Sequence, residues 1–239
     1  MQTLPILGGA AVPSTAAVPS TAAAPRSPTT SSIAASLWPR LTTLPATRPR
    51  LRLLNSALVC LADHDMSAGA VAARVAASAR GGPYAVIGAG LGALDGPVHG
   101  GAATLAQEFL RSALDDPRSA VLATRADGRR VPGTGHRVYQ RRDPRAEVLR
   151  SAMGQIGGGD RRVLPAIDDI ADMVAEQRDF VNSDMLLAGI ALRFSMVPHA
   201  AETIFAVARI SGWAAHAIEE YGEAPLRFRP QGIYVGARS

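Results

Sequence analysis

The residues with chemical potential sit where helices cannot form. His64 lies in an Asp-His-Asp turn, His99 in Gly-Pro-Val-His-Gly-Gly, and His136 at the end of Val131-Pro132-Gly133-Thr134-Gly135. Pro132, Gly133 and Gly135 stiffen and turn that loop, leaving its backbone carbonyls and N–H groups free to meet a ligand. Behind His136 come Arg137, Arg141, Arg142, Arg145 and Arg150, a setting for a small anion. One aspartate, Asp184, falls in the polar break Val181-Asn182-Ser183-Asp184. Neutral histidines, a carboxylate and arginines suit removal of a proton from a carbon beside a carbonyl, with the resulting charge held by neutral donors. His99 stands just before a helix N-terminus, whose dipole disfavours an imidazolium, so a neutral hydrogen-bond donor is its natural form. No HxxxH or HExxH spacing exists and there is one cysteine, so no metal set is expected. GxSxG is also missing, and an acyl-serine mechanism has no support.

The elements that must position these groups read as helices. Leu51–Ala62 and Ala68–Arg80 are good helix formers, and Ser67 is a candidate N-cap for the second. Tyr84–Leu94 follows Gly81-Gly82-Pro83. Its Gly88, Gly90 and Gly92 imitate a dinucleotide fingerprint, but no strand precedes them, so they read as points of close helix approach. Further helices are expected over Ala102–Leu114, Glu147–Ile156, Ile167–Gln177, Met185–Phe194 and Ala200–Tyr221. On the last, Ile204, Ala208, Ser211, Ala215 and Ile218 form an apolar stripe expected to pack inward. Arg209, Trp213 and His216 fall on another face, and Leu226–Gly236 is extended. Residues 1–36, rich in Ala, Pro, Ser and Thr with a near-repeat of VPSTAA, are expected to be a disordered tail.

Bulk composition narrows the classes. The chain has 239 residues, 47% apolar but only 5% aromatic, and all 25 of its basic residues are arginine. Its net charge of +5 would raise nucleic-acid binding, yet the arginines are dispersed with no interleaved aromatics, so no nucleic acid is expected. Cys60 cannot form an internal disulfide and lies in an apolar helical run, which suits a structural thiol. No stretch of about 18 apolar residues occurs and no secretory leader is evident, so no membrane association and a cytoplasmic location are expected.

Six stretches carry a resemblance: LADHDMSAGAVAARVAAS (61–78), GAGLGALDGPVHGGA (88–102), VPGTGHRVYQRRDPRA (131–146), NSD (182–184), IFAVARISGWAAHAIEEY (204–221) and RFRPQGIYVG (227–236). In this order they resemble the citrate synthase family. GPVHGG with PGTGHRVYxxxDPR is the most specific part, and the similarity covers roughly residues 50 to 237. The resemblance implies an all-α fold. Residues 37–102 and 207–239 would form a large helical domain, incomplete here, and 103–206 a small one, with the active site between them. Where the family has a long helical half before the ADH segment, this chain has about fifty residues. Other departures are Gln140 at a position usually basic, Ser183 and Met185 beside Asp184, and Thr134 within PGTGH.

The activity implied is an acyltransferase that condenses acetyl-CoA with oxaloacetate and water to give citrate and CoA, a step of the tricarboxylic acid cycle. Asp184 would take a proton from the acetyl methyl. His99 would donate to the thioester oxygen, and His136 would polarise the ketone of oxaloacetate. His64, Arg145 and Arg209 would hold the dicarboxylate. Val131, Pro132, Gly133, Thr134 and Gly135 would cradle the CoA adenine, with Arg141 near its phosphates. Arg229 would complete the site of a second subunit, in a homodimer or in a heterodimer with a longer paralogue. No cofactor is implied, since acetyl-CoA enters as a substrate. The alternatives are a 2-methylcitrate synthase, a citryl-CoA lyase, or an inactive subunit that binds CoA esters.

Overall fold

A computed structural model describes residues 32–96, 101–233, 235 and 236. Residues 1–31 of the tail expected over 1–36, and His99 with its neighbours, lie outside the described residues. Ten α-helices are present among those described: α1 (Ile33–Leu41), α2 (Arg48–Cys60), α3 (Ala68–Ser78), α4 (Pro83–Leu94), α5 (Gly101–Ala113), α6 (Pro117–Ala126), α7 (Pro144–Gly154), α8 (Val163–Ala175), α9 (Ser183–Arg193) and α10 (Ala200–Tyr221). Among these residues there is no strand, only an isolated antiparallel bridge between Thr134 and Val181. The fold is all-α. Helix α1 starts at Ile33, capped by Ser32 Oγ, so residues 33–36 are helical rather than tail. Helix α6 has no counterpart among the helices expected from sequence. No described helix is long and apolar enough to cross a membrane.

Helix α9 is the centre of the packing. Ser183 and every residue from Met185 to Ala191 are buried, and α5, α7, α8 and α10 surround it. A helix apolar on all sides has no solvent face to prefer, so it belongs in the interior. Its first turn carries Asp184, which is thereby mounted on the most enclosed element of the fold. Asn182 caps that turn by accepting from the N–H of Asp184 (2.9 Å) and of Met185 (3.4 Å). Such a cap satisfies N–H groups that a helix start otherwise leaves unpaired.

Helices α3 and α4 form a hairpin against the second half of α10, with Trp213 at its centre. A Cβ added at Gly69 would sit 2.9 Å from the indole, and at Gly90 2.6 Å, so these two glycines make the slot that Trp213 fills. Gly90 therefore serves close helix approach as expected, whereas Gly88 and Gly92 face open space. The inward face of α10 differs from the expected stripe. Ile204 and Ala208 are buried, but Arg209, Gly212, Trp213, Ala217 and Glu220 continue the buried face, and Ser211, Ala215 and Ile218 are exposed. The helix passes from the main core to the hairpin core, and its buried side rotates as its neighbours change.

Candidate active site

Two segments far apart in sequence are stitched together to make the site. The N–H of Gly135 donates to Phe180 O (2.7 Å), the N–H of Asn182 donates to Gly133 O (2.9 Å), and Asn182 Nδ2 donates to Gly135 O (2.8 Å). The single Thr134 Oγ1 proton is shared between Val131 O (2.7 Å) and Asp179 (3.1 Å), which Arg130 grips with two nitrogens. These bonds fix His136 relative to Asp184. They also correct the expectation that the loop's backbone groups stand free: the carbonyls of Val131, Gly133 and Gly135 are already engaged. Gly133 has φ +75°, and a Cβ there would meet the Cβ of Met185 at 2.9 Å and of Ala106 at 3.1 Å. Both neighbours are buried in the core and cannot step aside. Gly133→Ala is expected to lower stability by about 1–3 kcal/mol, combining left-handed strain with the clash. Urea unfolding monitored by circular dichroism measures that loss.

His64, His136 and Tyr139 meet as a ring cluster. The two imidazole centroids are 4.8 Å apart, and Tyr139 lies 4.8 Å from His136 and 5.4 Å from His64. The Arg145 guanidinium sits 5.3 Å over the Tyr139 ring, a cation–π contact. His136 Nδ1 accepts from the N–H groups of Val138 (3.0 Å) and Tyr139 (3.2 Å). An accepting Nδ1 leaves the ring proton on Nε2, so neutral His136 presents a donor there. Burial, then the nearby Arg145 charge, holds both histidines below the ordinary value of 6.5, and His64 adds to the effect on His136. His64 Nε2 is buried with no hydrogen-bond partner among the described residues. An orphaned buried nitrogen beside arginines marks a place for a ligand atom.

The charged members are enclosed. Arg145 donates through Nε and NH2 to Asp143 (2.9 and 2.8 Å), whose carboxylate also accepts from the N–H of Ser183 (2.9 Å). Burial alone would raise Asp143, but Arg145 and these N–H groups hold it below the ordinary carboxylate value. Arg209, only 2% exposed, donates to Leu61 O (2.9 Å) and Ser67 Oγ (3.3 Å) and stacks 4.7 Å over Phe205. Burial lowers its proton affinity, and repulsion from Arg145 lowers it further. Two buried guanidinium groups that repel each other favour an anion between them. The Asp184 carboxyl is pushed up to about 6, mainly by burial. Arg145 and Arg209 pull it down, while Asp143 adds to the rise. The residue itself remains partly accessible, so a substrate can still reach it.

The structure thus brings His64, His136, Arg145, Arg209 and Asp184 into one electrostatic cluster. Arg229 is exposed in the segment after α10, which forms neither helix nor strand among the described residues. Arg141 lines a cavity of about 210 Å³ with Arg142, Asp143, Glu147, Asp179 and Phe180. Cys60 is partly buried, and burial raises its thiol, which suits a protonated structural side chain. Among the described residues no group of three His, Cys, Asp or Glu comes together as a metal site. Sequence reasoning missed Tyr139 and Asp143; the Asp-Pro pair that starts α7 was an available sign of the second. Tyr139→Ala is expected to admit water and return both histidines toward 6.5, whereas Tyr139→Phe keeps the ring that buries them and leaves them low. An NMR titration of the imidazole C–H resonances separates these outcomes.

A family model described as the citrate synthase C-terminal domain matches residues 5–231. The chain belongs to the citrate synthase family. The putative citrate synthase 2 of Mycobacterium tuberculosis is 33% identical over 193 residues, covering 78% of this chain and 52% of that relative. The citrate synthase of Thermoplasma acidophilum, solved with carboxymethyl coenzyme A and oxaloacetate, superposes with a TM-score of 0.68 at 29% identity. That match covers 81% of this chain and 54% of the other. A citryl-CoA lyase from Hydrogenobacter thermophilus superposes with a TM-score of 0.77 at 26% identity, covering 87% of this chain and 85% of the lyase. This member of the citrate synthase family therefore spans about half the length of the citrate synthases it matches and most of the length of that lyase.

Proposed function

We propose that this protein condenses acetyl-CoA with oxaloacetate, the activity named for its citrate synthase relatives. The observation that carries the reading is the pairing of an elevated Asp184 carboxyl with a neutral Nε2 donor on His136, beside two buried arginines. Asp184 takes a proton from the methyl carbon of acetyl-CoA as His99 donates to the thioester oxygen. The resulting enol carbon bonds to the ketone carbon of oxaloacetate. His136 Nε2–H polarises that ketone and delivers its proton to the oxygen as it gains charge. His64, Arg145 and Arg209 hold the two carboxylates. Water then cleaves the citryl thioester, releasing citrate and CoA. Val131–Gly135 and Arg141 would contact CoA, and Arg229 would act in the site of a second subunit of a cytoplasmic dimer. No cofactor enters any of these steps.

The second reading is cleavage of citryl-CoA to acetyl-CoA and oxaloacetate, the same C–C step reversed. Its support is the near-complete coverage of the citryl-CoA lyase chain. One experiment tests both. Purified protein is given acetyl-CoA and oxaloacetate while free thiol is followed, and separately citryl-CoA while oxaloacetate is followed. Thiol release abolished by Asp184→Asn supports condensation. Oxaloacetate release without net thiol release moves the assignment to the lyase. A folded protein with neither activity overturns both.

A further inference from the structure

Helix α10 grips the turn that precedes His64 at three consecutive residues. Arg209 Nε donates to Leu61 O (2.9 Å), the N–H of Gly212 donates to Ala62 O (3.1 Å), and His216 Nε2 lies 3.2 Å from Asp63 Oδ1. Positions 209, 212 and 216 recur at helical spacing, so one face of α10 reads the turn rung by rung. Gly212 is required by the closeness of the approach, since a Cβ there would lie 2.3 Å from Ala62 O. The turn needs holding. Asp65 has φ +53°, a left-handed conformation that a residue other than glycine adopts at a cost.

The third rung has an orientation of its own. Arg74 on α3 donates from Nε to His216 Nδ1 at 2.9 Å. A guanidinium has no acceptor, so Nδ1 must accept and the ring proton must sit on Nε2, directed at Asp63. Arg74 is in turn fixed by Glu220 (3.1 Å) and by Glu219. Glu220, fully buried, also holds Arg227. Among the described residues no hydrogen bond or ring stacking joins Arg74, His216, Glu219 or Glu220 to the ring cluster, yet the chain of bonds ends one residue from His64.

We propose that His216, oriented by Arg74, is a positioning residue that sets His64 through Asp63. The kinetic part of the test rests on the function proposed above; the titration part does not. His216→Leu removes both bonds, while His216→Gln retains a carbonyl to accept from Arg74 and an amide to donate to Asp63. The groups facing His64 are His136, Tyr139, Arg145, Arg209 and Asp143, and all are kept in both variants. In folded His216→Leu the NMR titration of His64 is expected to rise toward 6.5 as the turn loosens and water enters. The KM for oxaloacetate should rise about tenfold with little change in kcat, the effect of losing one hydrogen bond to a charged group. His216→Gln should restore both. An unchanged His64 titration in His216→Leu, or a glutamine variant that behaves like leucine, overturns the proposal. Should the leucine variant fail to fold, Asp63→Ala carries the test at a half-exposed side chain. Loss of that negative charge alone would lower His64, so a rise reports displacement of the turn, and no rise overturns the strut. A wild-type protein without turnover whose His64 titration still responds counts against the proposed reaction and leaves the strut standing.

Discussion

Asp184→Asn is expected to abolish the proposed condensation while making the protein more stable at neutral pH. An amide cannot take the methyl proton, and loss of a general base costs on the order of a hundred- to ten-thousandfold in kcat. The stability gain follows from the same carboxyl. Its folded value of about 6 lies above the ordinary 3.8, so the folded state binds this proton more tightly than the unfolded chain does. That contribution is fully present below about pH 3.8 and is lost as pH rises through about 6. At pH 7 the wild-type fold holds a charge that burial opposes. The whole difference corresponds to about 3 kcal/mol, and the partial accessibility of Asp184 reduces it to about 1–2 kcal/mol. Thermal unfolding should therefore favour the asparagine variant at pH 7.5, with the advantage shrinking toward pH 4. Equal midpoints at both pH values would show that the carboxyl is not strained. In the wild-type protein, kcat/KM for the proposed condensation should fall about tenfold per pH unit below pH 6 as this carboxylate is protonated.

Which parts of the site were legible in the sequence depended on whether a residue's neighbours along the chain, or only its partners in space, mark it. Asp184, His64, His136, Arg145 and Arg209 lie in stretches whose residue order is distinctive, and the structure gathers all five. What the stretches could not convey is how each group is partnered. Asp143 reads as the first residue of an Asp-Pro turn, and its work as the enclosed counter-ion of Arg145 appears only when Ser183, 40 residues away, donates to it. Asp116-Pro117 starts α6 in the same way, its carboxylate accepting from Ser119, and that helix went unassigned. Glu220 looks like one of two solvent-facing glutamates at the end of a helix. Its burial depends on Arg74, 146 residues distant, and on Arg227. A periodic pattern assumes one fixed direction of burial along a helix. Helix α10 violates that assumption because it serves two cores, and its second half turns Trp213 rather than Ile218 inward.

The ion pair of Arg145 carries the other large effect. Arg145→Met is expected to cost about 3–5 kcal/mol of stability, because it strands a carboxylate with no solvent access. The side chain of Asp143 is 0% exposed and that of Arg145 10%, so water cannot replace the lost partner. Adding Asp143→Asn should recover most of this loss. The amide oxygen can still accept from the N–H of Ser183, and no charge remains to be buried. Recovery of the fold is not expected to recover function. Arg145 also stacks on Tyr139 and lowers both histidines. In the double variant His64 and His136 should titrate closer to 6.5, and oxaloacetate should bind at least tenfold more weakly, the equivalent of ~1.4 kcal/mol or more. Chemical unfolding and oxaloacetate binding by calorimetry read the two halves separately. A double variant that regained stability and bound oxaloacetate like the wild type would assign Arg145 to the scaffold alone. Weak binding in a restored fold places its guanidinium on the substrate, with the buried pair serving to hold that guanidinium still.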